Sequence, residues 1–166
     1  RDVALEFLLK FLIADDKRND LIVDYAVRAL EKNRKVLILS HRRKHLKTLY
    51  DKLMKRIDGK YTIGFVVGGM RQEEIEESKK KNCLLGTYQY IAEGFDCPEL
   101  DTLIFATPVS NPIQPVGRIM RIKEGKQEPV VVDLVDLDDV FLKLYESRKK
   151  HYMANNYKII NSKTKN

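Results

Sequence analysis

Cysteine is the first thing in short supply. Cys83 and Cys97 are the only two among 166 residues, and just three histidines accompany them. That leaves nothing from which to build a disulfide framework or a zinc site, and the expected setting is intracellular and reducing. No apolar run approaches the ~20 residues that a membrane-spanning helix requires. No stretch has the layout of a signal peptide, and repeats and low-complexity linkers are missing. Two phosphate-binding signatures are absent as well: there is no G-x-x-x-x-G-K-[ST] loop, and no Asp-Glu pair closes a strand-like run. Alone, such a chain is not expected to bind and hydrolyse a nucleoside triphosphate. The G-x-G-x-x-G turn that a doubly wound small-molecule enzyme carries after its first strand is also missing. An initiator methionine is lacking too: the chain opens at Arg1 and runs straight into the apolar stretch VALEFLLKFL. The expectation is a monomeric piece of a longer protein.

Hydrophobic content of 43% and charged content of 33% suit one soluble domain with a proper core. The net charge of +7 and pI near 9.3 are compatible with a polyanionic partner, because basic groups displace counterions from a phosphate backbone. They are equally compatible with a basic segment of a longer, balanced chain.

Apolar periodicity places two helices first, the second over about Asp20–Lys32 with Leu21, Ile22, Tyr25, Ala26, Ala29 and Leu30 on its buried side. KVLILS (35–40) has the look of a strand buried on both faces. A helix with Leu46, Leu49, Tyr50, Leu53 and Ile57 on one side follows and ends near Gly59. YTIGFVVGG (61–69) is strand-like, and RQEEIEESKKK (71–81) puts acids early and lysines late, as a helix dipole favours. Then come the strand CLLGT (83–87), a loop to Pro98, the strand LDTLIFATP (100–108), the segment around Arg118, the strand PVVVDLVD (129–136) and a helix over about Asp138–Met153. Strands alternating with helices imply crossovers, hence a mostly parallel α/β sheet covered on both faces. The expected division is leading helices over 1–34, the sheet domain over 35–155, and a basic tail over 156–166.

In open parallel sheets, ligands gather at loops beyond the carboxyl ends of the strands. The polar residues concentrate there: Ser40-His41-Arg42 after the first strand, Gly68-Gly69-Met70-Arg71 after the second, Thr87 to Asp96 after the third, and the run to Gln114 after the fourth. Beyond that run lies QPVGRIMR (114–121). Arg118 and Arg121 are three apart, so on a helical turn they face the same way. That suits either a solvated basic face or a pair of charges reaching for a phosphate. Gly117 lets the turn approach a neighbouring backbone closely. Asn111-Pro112-Ile113-Gln114 has the spacing of a helix cap, whereas Pro115 disfavours helical geometry at Gln114 and argues for a start at Pro115.

Four segments in order resemble the motifs of superfamily 2 helicases, over roughly residues 35 to 136. VLILSHRRKHLKTL is similar to their motif IV, and Gly68-Gly69 stands where they have motif IVa. LLGTYQYIAEGFDCPELDTLIFATP resembles motif V, a strand ending in Thr followed by Glu-Gly-x-Asp-x-Pro. QPVGRIMR resembles motif VI, Gln-x-x-Gly-Arg-x-x-Arg. The resemblance implies the second, C-terminal RecA-like lobe of a helicase or translocase, with ATP and Mg2+ bound mainly by an N-terminal lobe outside this chain. It assigns Arg118 and Arg121 to the γ-phosphate and Gln114 to the same interface. Gly94, Asp96 and Gly117 belong to the nucleotide side, where Asp96 couples through the ribose or the other lobe. Ser40, His41, Arg42, Gly68, Gly69, Arg71 and Thr87 are assigned to a phosphate backbone.

The chemistry is sound independently of the name: phosphoryl transfer needs planar, permanently charged donors at the γ-phosphate. Many members carry an arginine directly after the glutamine, where this sequence has Pro115, which puts one contact in doubt. Glu93 and Asp96 can equally cap a local turn, and Tyr88 and Tyr90 suit packing better than base stacking. Lys-, Ile- and Asn-rich usage, with motifs similar to those of helicases from large DNA viruses, tilts the expected partner toward DNA over RNA. The competing reading is a RecA-like module that binds nucleic acid or protein without driving hydrolysis.

Overall fold

The computed structural model describes residues 3–121 and 123–162; positions 163–166 of the expected basic tail lie outside the described residues. At its centre stands β1 (Val36–Ser40), every residue of which is buried. Strands β2 (Ile63–Val66), β3 (Cys83–Thr87), β4 (Thr102–Phe105) and β5 (Val130–Asp133) join it in one parallel sheet of order β2-β3-β1-β4-β5. Alternation along β1 sorts the core into two layers. Val36 and Ile38 face α2 (Asp16–Glu31) and α3 (Arg43–Ile57), whose Ile22, Ala26, Leu30, Leu46, Leu49 and Leu53 cover that side. Leu37 and Leu39 face the other layer, built from Ile75 of α4 (Gln72–Lys79), Ile91 of α5 (Tyr88–Ala92), Val116 and Ile119 of α6 (Ile113–Ile119), and Tyr152 of α7 (Asp139–Ala154). Helix α1 (Val3–Ala14) packs on α2. This is the expected RecA-like sheet with helices on both faces.

The strands are shorter than the apolar runs suggested: β2, β4 and β5 have four residues each. Around β4 the flanking Leu100, Asp101, Ala106 and Thr107 stay buried outside the ladder, whereas most residues flanking β2 and β5 are partly or fully exposed. Two helix limits also move. Asp15 caps α2, accepting the Arg18 N–H at 3.1 Å, so the helix starts before Asp20. Part of the expected loop to Pro98 is the short helix α5, whose N-cap Thr87 accepts the Tyr90 N–H at 3.3 Å.

Two buried arginines pin the connections beyond β4 and β5. Arg18 meets both oxygens of Asp136, at 2.7 and 2.9 Å, and also donates to the Ala106 carbonyl. Arg148 meets both oxygens of Asp133, at 2.8 and 2.7 Å, and donates to the Val109 carbonyl at 2.8 Å, while the Tyr152 hydroxyl adds a bond to Asp133 at 2.7 Å. A guanidinium out of water is tolerable only when paired and fully bonded in this way.

Candidate functional site

The register sets Ser40 beside Thr87, Leu39 beside Phe105 and Val66 beside Gly86. The carboxyl ends of four strands therefore form one rim, where ligands of open parallel sheets gather. Ser40 is fully buried at this rim. Its Oγ lies 2.9 Å from His45 Nδ1 and accepts the Arg42 N–H at 3.2 Å. His45 Nε2 lies 2.7 Å from Asn19 Oδ1, and Asn19 Nδ2 donates to the Ile13 carbonyl at 2.9 Å. Because the Asn19 amide gives its N–H to Ile13, its oxygen accepts; the imidazole proton therefore sits on Nε2, and Nδ1 accepts from Ser40. Burial, reinforced by Arg18, pulls His45 down to about 4, so the ring is neutral near pH 7. The Ser40 hydroxyl is thus bonded within the fold, to His45 and to the Arg42 amide.

His41 also turns inward. Its N–H donates to Thr107 Oγ1 at 3.0 Å, its Nδ1 lies 2.7 Å from the same oxygen, and its ring packs on Tyr88 with centroids 4.7 Å apart. Burial, then the neighbouring Arg42, lowers its pKa to about 4, against the opposing pull of Glu6. Tyr88 bonds the Thr107 carbonyl and packs on Phe105, while Tyr90 packs on Phe95. Packing is thus the role of both tyrosines, as their alternation suggested.

The groups left at the rim's surface are Arg42, Gly68, Gly69 and Arg71. Arg42 pairs with Glu6 of α1. Arg71 carries a largely exposed guanidinium near Glu73 and Glu74, and its N–H donates to Glu74, which lowers the Glu74 pKa. Gly69 takes a φ of +84°. Arg43, which motif spacing did not single out, bonds the Gly68 carbonyl and ties the start of α3 to the glycine turn. Thr107 was likewise missed: a threonine after a strand has no signature until the fold places His41 beside it.

On the far side of α5 the second group assembles. Asn111 Oδ1 accepts the Ile113 N–H at 3.0 Å, and α6 starts at Ile113 rather than at Pro115. Pro115 is tolerated because it lies in the first turn, where a helix has no partner for the missing N–H. Gln114 and Arg118 then fall at i and i+4 on one side of α6, and Arg121 follows just past its end at Ile119. All three reach the end of α5 and the loop after it. Gln114 Nε2 donates to the Ala92 carbonyl at 3.1 Å, Arg118 Nη2 to the Ile91 carbonyl at 3.4 Å, and Arg121 Nη1 to Asp96 Oδ1 at 2.5 Å. Gly94, with a φ of +102° that disfavours any side chain, turns the chain between α5 and Asp96.

Arg118 Nε is buried and has no hydrogen-bond partner. Gly117 departs from expectation: a Cβ placed there meets nothing within 4 Å, so no close backbone approach explains it. It lies exposed on α6, opening space beside Arg118. The opposite side of the helix sends Val116 and Met120 into a cavity of about 450 Å³ near β5 and α7, away from these arginines. Both cysteines are buried and outside any disulfide, and burial pushes the Cys83 thiol up to about 12 and raises that of Cys97.

The two motif-bearing groups thus lie on the connections that follow the carboxyl ends of the parallel strands. The helicase conserved C-terminal domain model matches residues 17–123. The chain belongs to this family. Among curated relatives, it is 32% identical over 145 residues to the putative ATP-dependent RNA helicase L396 of Acanthamoeba polyphaga mimivirus, covering 86% of this chain and 28% of that protein. It is 31% identical over 150 residues to the probable helicase D10 of Escherichia phage T5, covering 85% of this chain and 33% of the relative. The chain therefore spans about a third or less of these two helicases. Among solved structures, T4 UvsW superposes with a TM-score of 0.71 at 19% identity, over 92% of this chain and 35% of that one, a likeness in fold. Helicases of this family generally work with ATP and Mg2+ and bind nucleic acid.

Proposed function

We propose that this domain is the finger-bearing half of an ATP-dependent helicase or translocase, with Arg118 and Arg121 acting on the γ-phosphate of a nucleotide cradled by a second RecA-like lobe. Residues 35–155 form the lobe proper, and the helices of 1–34 brace it. The observation that carries the reading is the gathering of Gln114 and Arg118 of α6, and Arg121 just past it, at the end of α5 and the loop after it. Gly117 opens space beside Arg118, which holds one buried donor in reserve. A buried N–H without a partner costs about 1–3 kcal/mol, which an incoming phosphate oxygen relieves. These groups fit the anionic end of ATP. Nothing in the sequence supplies the loop for the remaining phosphates, and the described residues hold no group of three His, Cys, Asp or Glu able to take a metal ion. The Mg2+ therefore belongs with the other lobe.

When bound, ATP supplies the phosphoryl bond that is broken. Arg118 and Arg121 neutralise charge on the transferred group, and Gln114 aligns the interface. Along the rim, Arg42, Arg71 and the Gly68-Gly69 turn meet a phosphate backbone directly, while Ser40, His41 and Thr87 hold the surface in shape. Such contacts make binding insensitive to sequence and sensitive to salt. The tilt toward DNA finds no support: one relative is named an RNA helicase, and nucleic acid is the substrate class we propose. The intracellular setting stays with this proposal too; no described helix is long and apolar enough to cross a membrane. The deciding experiment is ATPase activity of the longer protein, with DNA and RNA compared as stimulants. Arg121→Ala is expected to abolish stimulated turnover while ATP binding stays measurable. Unchanged turnover would leave the competing reading, a non-catalytic binding module.

A further inference from the structure

The Arg121 side chain is not waiting free. Its guanidinium sits on Asp96 at 2.5 Å, and both side chains are about half exposed, 49% and 46%. Its backbone is held as well. Lys126 Nζ donates to the Arg121 carbonyl at 2.8 Å and also to the Ile119 carbonyl, the latter an acceptor that the end of α6 leaves without an intrahelical partner and the former just beyond the helix. The lysine reaches them because the chain reverses at Lys123–Lys126, where the Lys126 N–H bonds the Lys123 carbonyl at 3.2 Å and Gly125 takes a φ of +78°. A second tie, Lys123 Nζ to Glu99 Oε1 at 2.9 Å, fastens this turn to the loop that carries Asp96. Carboxylate and guanidinium are thereby presented to each other by two segments clamped together.

We propose that Asp96 is an exchange partner for Arg121. It occupies the guanidinium in the nucleotide-free lobe and yields it to the terminal phosphate of a nucleoside triphosphate, while Lys126 is the positioning residue that keeps the Arg121 backbone fixed during the exchange. This rests on the arginine pair acting at the γ-phosphate and adds what governs it. An exposed ion pair is weak, so the resting contact is readily given up to a doubly charged phosphate oxygen set. A nucleoside diphosphate offers nothing at that position and leaves the pair closed. Asp96 thus penalises triphosphate binding slightly and diphosphate binding not at all, and the arginine stays ordered while no substrate is bound.

Equilibrium binding of a non-hydrolysable ATP analogue and of ADP to the longer protein tests this. Asp96→Asn, which keeps shape and removes charge, is expected to tighten the analogue about twofold to fivefold, the worth of an exposed pair, and to leave ADP unchanged. In an Arg121→Ala background the same substitution is expected to change neither. Equal weakening of both nucleotides would overturn the exchange, since Asp96 would then be touching the nucleotide itself. An unaltered ratio of the two affinities would overturn it as well. Lys126→Met is expected to lower the stimulated turnover number about tenfold with KM for ATP held, and Lys126→Arg to restore it. A loss of thermal stability without a change in turnover would remove Lys126 from the proposal. Should Lys126→Met fail to fold, the Asp96 binding ratio decides alone. The finger assignment is judged separately: if Arg118→Ala and Arg121→Ala leave hydrolysis intact, that reading falls. If they abolish hydrolysis while the Asp96→Asn ratio does not move, only the exchange falls.

Discussion

Arg148 and Arg118 both reach from a helix toward the same end of the sheet, yet their surroundings differ in kind. Arg148 is 1% exposed, with Asp133 gripping two sides of its guanidinium and the Val109 carbonyl taking another donor. Arg18 repeats that pattern with Asp136 and Ala106. Arg118 makes one long bond of 3.4 Å and leaves its Nε dry and unmatched; Arg121 rests on a single carboxylate that water also reaches. The first pair is finished by the fold itself. In the proposed function, the second pair is finished by the nucleotide. Folding tolerates very few unmatched buried donors, and the proposed function gives the one on Arg118 to the incoming phosphate.

The largest effect expected from breaking this contrast is kinetic. Arg118→Ala in the longer protein should lower nucleic-acid-stimulated ATP hydrolysis by about 10³–10⁵, the worth of an arginine finger, while denaturant unfolding of the domain shifts little or toward greater stability. A stability loss as large as that of a buried ion pair would erase the distinction. Next comes Arg148→Ala, which strands Asp133 in the core and should cost about 3–5 kcal/mol in urea unfolding, with Arg18→Ala alike in size.

Acid probes the same buried polar layer. His41 and His45 titrate near 4 when folded, against an ordinary value of 6.5. The unfolded chain therefore binds more protons between these values, and stability is complete above about pH 6.5 and lost as pH falls toward 4. The loss amounts to roughly 2–4 kcal/mol for each histidine. Unfolding at pH 7, 5.5 and 4.5 should show this slope, and His45→Gln should remove roughly half of it. The smallest effect is expected at the Asp15 cap that starts the Arg18 helix: Asp15→Ala should cost about 1 kcal/mol by thermal melting and leave Arg118 and Arg121 untouched.

Much of this was legible in the residues. The alternation of apolar runs with amphipathic stretches predicted the parallel sheet, and the strand ends carried the motif residues. What could not be read was pairing across the fold. Arg18 with Asp136, His41 with Thr107 and Arg43 with Gly68 are far apart in sequence, and no periodicity joins them. Nor could spacing reveal that Ser40 and His41 turn inward, since a polar residue after a strand looks the same whether it meets solvent or a buried partner. Pro115 misled for a local reason: a proline reads as a helix breaker until its place within the first turn is known.

The bonds running from the Arg42 amide through Ser40, His45 and Asn19 to the Ile13 carbonyl have a direction. Each group gives its proton to the next in one sense only, and no member can reverse without reversing all. Such a sequence behaves as a strut rather than a hinge. It ties the hairpin of α1 and α2 to the tip of β1, so the leading helices and the rim are joined by an unbroken line of side-chain bonds.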